Sequence, residues 1–347
     1  MSASLLNSLQ DATEFKPELN RFLSATHDEI RSGATTDIYF VNTRDVLREA
    51  GLLDTPVTAE IFTRTSGIFA GAGEVLELLK DKHVKIEALS DGDTFNYKDT
   101  VMRITGPYGE FGLFETTLLG MMSSACAWAT AARECVDAAQ GKPVLCFGAR
   151  HLHPAVAPVM EATALKVGGC AGASCILGAK LCGREPSGTI PHAAVLIMGD
   201  TLKLAKLYDQ VLPDRVGRIF LVDTFKDECE EALRLAGELK RLDAVRLDTP
   251  GERGGVTVDL VREIRYKLNM AGFNKVKIVV SGGLNPERIK VLAEAGADVF
   301  GVGSYIAHAI PMDMTMDLKE VNDKPIAKRG RFPGKIENNK LKVIKNI

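Results

Sequence analysis

From Val144 onward the chain repeats one rhythm: a short apolar run, a helix-length amphipathic segment, then another apolar run. The clearest runs are Val144–Phe147, Ile219–Asp223, Ala244–Asp248, Val276–Ser281 and Asp298–Val302. Runs that are apolar throughout, without alternation, read as strands covered on both faces, and strands separated by helices pair in parallel. The separating segments carry helix ends. In 285–296, Asn285 is an N-cap, Pro286 suits the first turn, Ile289, Leu292 and Ala293 form an apolar stripe, and Gly296 is a stop. The segments 227–242 and 258–268 read the same way, with Val258, Val261, Ile264 and Leu268 on one face. Between Phe147 and Ile219, the stretches 168–172 and 187–191 read as loops, and 193–198 is strand or helix. Roughly six or seven βα units result, which predicts an α/β fold with an incomplete parallel barrel.

Before about residue 140 the pattern is mixed. Strand-like Ile61-Phe62, 84–86 and 101–104 are separated by Gly, Asp and Pro turns and by helical stretches. At the usual size of ~100–200 residues per domain, a chain of 347 residues predicts two domains. The tail from Lys324 to Ile347 carries eight Lys and Arg against one Glu, without a helical pattern. It reads as a solvated terminal strand that packs back on the first domain.

Charge and cysteine usage narrow the function classes. The 43 Lys and Arg against 45 Asp and Glu leave a net charge of −2, which gives no electrostatic case for nucleic acid or an anionic membrane surface. A small substrate is expected. The uncharged stretch 116–132 is rich in Ser and Thr and shorter than the ~20 apolar residues of a spanning helix, so it reads as a buried helix. The first thirteen residues contain no Lys or Arg, so the basic start of a signal peptide is missing and a cytoplasmic protein is expected. Seven cysteines without a CxxC pair, mostly in apolar surroundings, read as reduced buried thiols; neither a disulfide framework nor zinc is expected.

Active sites of parallel barrels form at the carboxyl ends of the strands. The residues there are 148–150, Thr224, 249–251, Gly282-Gly283 and Gly303-Ser304. Of the two late Gly turns, Gly282-Gly283 leads into a capped helix and Gly303-Ser304 follows the next strand; as a pair they offer backbone N–H groups to an anion and point to phosphate. No P-loop and no GxGxxG fingerprint occurs. Arg246 and Asp248 alternate along one strand and share a face, as a barrel-end salt bridge or as a ligand pair. Arg150, His151 and His153 crowd another strand end, and His192 follows a Gly-Thr turn, where an imidazole can accept or shuttle charge near neutral pH.

These residues resemble the nicotinate and nicotinamide phosphoribosyltransferases of the quinolinate-type fold, over most of the chain. Thr36-Asp-Ile-Tyr39 looks like the family's TDxY segment, 62–64 like its next strand with a phosphate-contacting Arg, and 114–119 like its LETPLL helix start. Phe147-Gly-Ala-Arg150 matches FGxR, 187–192 matches GTxxH, 221–224 matches LVDTY, 246–249 matches the start of RxDSGD, and 328–334 matches KRGKxPG. The RxDSGD motif departs from the pattern: the sequence here is Arg-Leu-Asp-Thr-Pro-Gly, with Pro250 where a Gly stands and no second acidic residue immediately after.

The resemblance implies an N-terminal α/β sandwich domain over 1–140, completed by 318–347, and a phosphoribosyl-binding barrel over 141–317. It implies a homodimer with shared active sites, whose substrates are phosphoribosyl pyrophosphate and nicotinate. Phe147 would stack on the pyridine, with Tyr39 of a second protomer on the other face. Arg150 would sit near the base or the ribosyl phosphate, with Lys328 and Arg329 as further candidates to face a carboxylate. Arg246 and Asp248 would hold the ribose and its phosphates, Gly282, Gly283, Gly303 and Ser304 the 5′-phosphate, and Arg64 phosphates across the dimer. Asp223, Thr249 and Ser281, within or beside the matched motifs, would complete the substrate contacts. His192 would be phosphorylated where ATP drives the reaction. Mg²⁺ is implied on unidentified ligands. A C-terminal zinc ribbon, as in some archaeal-type relatives, is excluded, since no cysteine follows Cys229. The alternatives are a quinolinate or nicotinamide phosphoribosyltransferase, a barrel aldolase or isomerase, and a catalytically silent ligand-sensing homologue. The aldolase lacks a Lys at the end of any clear strand, and the silent homologue would have lost the charged cluster.

Overall fold

The computed structural model describes residues 5–347. The chain divides into two compact units, one formed by residues up to Thr130 together with Ile310–Ile347, the other by Ala131–Ala309.

In the first unit six strands form an antiparallel sheet in the order Lys324–Pro325, Met314–Val321, Pro56–Thr63, Thr100–Pro107, Lys85–Ala88, Lys342–Lys345. The central strand Pro56–Thr63 is buried from Val57 onward and sets Ile61 opposite Met316 on one side and Met102 on the other. Its Glu60, only 1% exposed, accepts hydrogen bonds from Arg103 at 2.8 and 3.0 Å and from the Ile336 backbone N–H at 3.0 Å. The basic tail is neutralised locally: Lys328 and Arg331 lie 2.7 and 2.9 Å from Asp317, Lys335 lies 3.0 Å from Glu320, and the Arg331 guanidinium covers Phe62. Its last segment is an edge strand antiparallel to Lys85–Ala88.

The helix Glu115–Ala138 runs from this unit into the second. Leu118, Met122, Ala125, Cys126, Ala129 and Ala132 recur at helical spacing and are all buried. Among the described residues no helix is long and apolar enough to cross a membrane.

In the second unit six parallel strands curl into a half-barrel, in the order Gly172–Ala173, Val144–Cys146, Val299–Val302, Lys277–Val280, Ala244–Leu247, Ile219–Leu221. This is the incomplete barrel that the sequence rhythm predicts. The strands stop before the apolar runs do, so Phe147, Asp223, Asp248 and Ser281 lie just past the last paired residue, at the carboxyl ends. The helix Pro286–Ala295 has Asn285 capping the Arg288 N–H and Gly296 in the left-handed region, as its ends foretell. The ambiguous run 193–198 is helical, within His192–Met198. Between the two edge strands the chain makes only the helices Ile176–Lys180, His192–Met198 and Thr201–Val211. All seven cysteines are free; burial pushes the Cys126 and Cys170 thiols up to about 12, which removes them as nucleophiles near neutral pH.

Glu60→Ala leaves the Arg103 guanidinium without its closest carboxylate and the Ile336 N–H unpaired; a loss of about 3–5 kcal/mol in denaturant unfolding is expected, with faster protease cleavage at Lys328–Arg331. Burial, with Asp317 adding repulsion, raises the Glu115 carboxyl from 4.5 to about 7. The folded state therefore binds this proton more tightly than the unfolded chain. The contribution to stability is complete below about pH 4.5 and lost as pH rises through about 7. Melting temperatures of Glu115→Gln and the parent, measured between pH 5 and 8, should diverge in the variant's favour as pH rises.

Candidate active site

At the carboxyl ends of the half-barrel the side chains of three strand ends and one loop converge on Arg246. Residues 244, 246 and 248 share a face, on which Arg246 and Asp248 are half-buried, while Val245 and Leu247 on the other face are buried. The Arg246 guanidinium donates from Nη1 to Thr189 Oγ1 at 2.6 Å, from Nε to Ser281 Oγ at 2.9 Å and from Nη2 to Asp248 Oδ2 at 3.1 Å. The Ser281 hydroxyl in turn donates a hydrogen bond to Asp248 Oδ1 at 3.0 Å. The guanidinium also lies 5.6 Å from the centroid of the Phe147 ring, so one side of that ring already holds a cation.

Asp248 is tied to a second carboxylate. Its backbone N–H donates to Asp223 Oδ2 at 3.0 Å, and Asp223 Oδ1 lies 3.1 Å from His192 Nε2. The Asp223 side chain is 1% exposed and that of His192 38%, so a buried carboxylate orients an accessible imidazole. Burial pushes the Asp223 carboxyl above its ordinary value, against the pull of His192. Next to it, Thr224 Oγ1 is buried without a hydrogen-bond partner among the described residues.

The Gly turns surround this cluster. Gly282 has φ +89°, and a Cβ there would lie 3.0 Å from Asp248 Oδ1. At Gly301 a Cβ would stand 2.5 Å from the Phe147 ring, so only glycine leaves room for that ring beside the strand. Gly303 is overlaid by His151, whose ring meets His308 edge-on at 5.3 Å; burial, then His308 and Arg150, lowers the His151 pKa. Ser304 opens the helix Ser304–Ala307, and Arg150 is exposed on the turn Ala149–His151.

Of the residues expected at the site, His192, Asp223, Arg246, Asp248, Ser281 and Phe147 form one connected cluster, with Gly282 against it. Thr249 does not join it: its hydroxyl donates to Glu228 at 2.9 Å, and Glu228 in turn takes Arg253 at 3.2 Å. Tyr39, on the helix Ile38–Glu49, and Arg64, beyond the strand Pro56–Thr63, belong to the first unit and are exposed on it. Two contributors escaped the sequence reading. Thr189 stands inside a matched motif, but nothing in its spacing shows that it holds Arg246. Arg288, which reaches the Gly283 and Val256 carbonyls at 3.4 and 3.1 Å, had a usable signal: a cation in the first turn of the helix that follows the Gly-Gly turn. Among the described residues no group of three or more His, Cys, Asp or Glu is placed to hold a metal ion.

Residues 37–126 match the N-terminal domain of quinolinate phosphoribosyl transferase, and residues 128–317 its C-terminal domain. The chain is 27% identical over 343 residues to nicotinate phosphoribosyltransferase pncB1 of Mycobacterium tuberculosis, covering 87% of this chain and 75% of that protein. It is 24% identical over 302 residues to a probable carboxylating nicotinate-nucleotide pyrophosphorylase of Methanothermobacter thermautotrophicus, covering 84% and 98%. Among solved structures, the nicotinate-nucleotide pyrophosphorylase from Pyrococcus furiosus matches with a TM-score of 0.87 at 43% identity, covering 91% of this chain and 82% of that one. Human nicotinic acid phosphoribosyltransferase matches with a TM-score of 0.70 at 19% identity, covering 87% and 77%, a likeness of fold alone. With both domain patterns matched between residues 37 and 317, the chain belongs to the quinolinate phosphoribosyltransferase family and is a phosphoribosyltransferase enzyme of NAD biosynthesis.

Proposed function

We propose that the chain transfers the 5-phosphoribosyl group of phosphoribosyl pyrophosphate to nicotinate, giving nicotinate mononucleotide and pyrophosphate, with ATP coupling through His192. The observation that carries this reading is the imidazole held on buried Asp223 and linked through Asp248 to Arg246. A carboxylate acceptor fixes the imidazole proton on Nε2, which leaves Nδ1 with its lone pair as the nucleophile. Nδ1 attacks the γ-phosphorus of ATP, ADP leaves, and hydrolysis of the phosphohistidine supplies the drive.

In the transfer itself the pyridine nitrogen attacks C1 of the ribose as pyrophosphate departs, so no protein nucleophile is needed and catalysis is orientation plus electrostatics. Asp248, already held by Arg246 and Ser281, stands as the fixed negative charge for an oxocarbenium-like centre. The turns at Gly282-Gly283 and Gly303-Ser304 present backbone N–H groups to the 5′-phosphate. The donor set suits a Mg²⁺ that arrives on the diphosphate, because Mg²⁺ keeps most of its waters and needs only one or two carboxylates. Asp248, whose side chain is 25% exposed, is the carboxylate that would meet it. Bound there, the ion would neutralise charge on the leaving group. Tyr39 and Arg64 are read as the contribution of a second protomer in a cytoplasmic homodimer, Tyr39 to the open face of the base and Arg64 to phosphate.

Nicotinate is favoured because a dicarboxylate needs several converging cations, whereas Arg246 is neutralised by Asp248 and leaves Arg150 as the exposed guanidinium beside Phe147. The 43% identity to the Pyrococcus furiosus nicotinate-nucleotide pyrophosphorylase supports a second reading, quinolinate as the base with loss of CO₂. Assays with phosphoribosyl pyrophosphate and nicotinate, nicotinamide or quinolinate in parallel, with and without ATP, separate the two. Nicotinate alone should release pyrophosphate; release with none of the three would sink the transferase assignment at this site. His192→Ala should abolish stimulation by ATP and spare slow basal turnover. Unchanged ATP dependence in that variant would refute the phosphohistidine.

A further inference from the structure

Glu161 is fully buried, at 0% exposure, on the helix Ala157–Lys166 that packs behind the half-barrel. Among the described residues no Lys, Arg or His forms an ion pair with it, which is unusual for an interior carboxylate. Its compensation comes from three donors. Oε1 accepts from the Ala149 backbone N–H at 3.0 Å and from Ser174 Oγ at 2.9 Å, and Oε2 accepts from the Cys175 backbone N–H at 2.6 Å. Gly178 seals the site: a Cβ there would come within 3.2 Å of Glu161 Cβ.

The three donors belong to two different strand ends. Ala149 lies in the turn Phe147-Gly-Ala-Arg150 after the strand Val144–Cys146, and Ser174 and Cys175 follow the edge strand Gly172–Ala173. That edge strand also anchors the segment carrying Thr189 and His192, through the Ser187 N–H on the Ala173 carbonyl at 2.7 Å. A leucine could fill the same volume without desolvating a charge. What a carboxylate adds is two oxygens that accept from both turns at once, and this fixes where Phe147 and Arg150 stand. We infer that Glu161 is a positioning residue for base binding, acting through the Phe147–Arg150 turn; the inference rests on the reading of that turn as the pyridine site.

Steady-state kinetics with nicotinate and phosphoribosyl pyrophosphate test it on Glu161→Gln, Ser174→Ala and Phe147→Ala. Glutamine keeps the volume but offers one acceptor oxygen, so an amide N–H must face a backbone N–H. The KM for nicotinate should rise about tenfold or more, with the KM for phosphoribosyl pyrophosphate changed by no more than about twofold, since a small misplacement of a binding group has effects of this size. Ser174→Ala removes one donor, leaves the charge in place and should move the nicotinate KM the same way by about two- to fivefold. It serves alone if Glu161→Gln does not fold. An unchanged nicotinate KM in either folded variant, or an equal rise in both KM values, would overturn the inference. Phe147→Ala separates the two layers: a raised nicotinate KM there beside an unmoved one in Glu161→Gln sinks the positioning role alone. An unmoved KM in Phe147→Ala sinks the pyridine-site reading and the inference with it.

Discussion

The half-barrel depends on the neutralisation of one guanidinium. Arg246 projects from the strand next to one edge of the sheet, its side chain 17% exposed, and a charge so far out of water is tolerated only with good partners. Asp248 supplies the charge, Thr189 and Ser281 supply acceptors, and the Phe147 face supplies a weaker attraction. Asp248 in turn is fixed through its backbone by Asp223, which holds His192. One continuous network therefore joins the ring expected to meet the base with the imidazole expected to carry phosphate. Groups in such a network polarise and orient each other, so its members act as a unit.

The missing part of the barrel is what makes room for this network. A closed eight-stranded barrel fills its interior with layers of side chains. Here the edges are the two-residue strand Gly172–Ala173 and the three-residue strand Ile219–Leu221, and between them the chain returns as loop and helix. Short edges of this kind resist pairing with other chains. The loop that passes this gap delivers Thr189 to Arg246 and His192 to Asp223. Gly172 permits the approach, since a Cβ there would stand 2.5 Å from Ser187 Oγ.

Strand and helix order in the second unit was legible because each element carried its own period and its own caps: Asn285 and Gly296 bound a helix in sequence and in structure alike. The pairing of Arg246 with Asp248 was legible for the same local reason, two residues on one face of one strand. Thr189 and Glu161 were not, because their partners lie 57 and 14 residues away in the chain. Thr249 shows the converse case. Its motif placed it with the substrate contacts, yet a buried Glu228, twenty-one residues earlier, takes its hydroxyl inward. Hydrophobic period reports which face is buried; it carries no information on which distant polar group answers a buried one.

The near-zero net charge fits this picture. The basic residues that matter to each unit are paired where they stand: Arg103 with Glu60, Lys328 and Arg331 with Asp317, Arg246 with Asp248. An incoming phosphorylated sugar therefore meets a site whose strongest cation is already committed to a carboxylate. On the proposed reading, attraction then comes from the backbone N–H groups of the Gly282-Gly283 and Gly303-Ser304 turns and from exposed Arg150. Such dipoles are set in place by the fold before the substrate arrives and need no reorganisation when charge develops on the leaving group. On that reading Arg246 serves chiefly to hold Asp248 in register, which is the condition for a carboxylate to stabilise a transient cation.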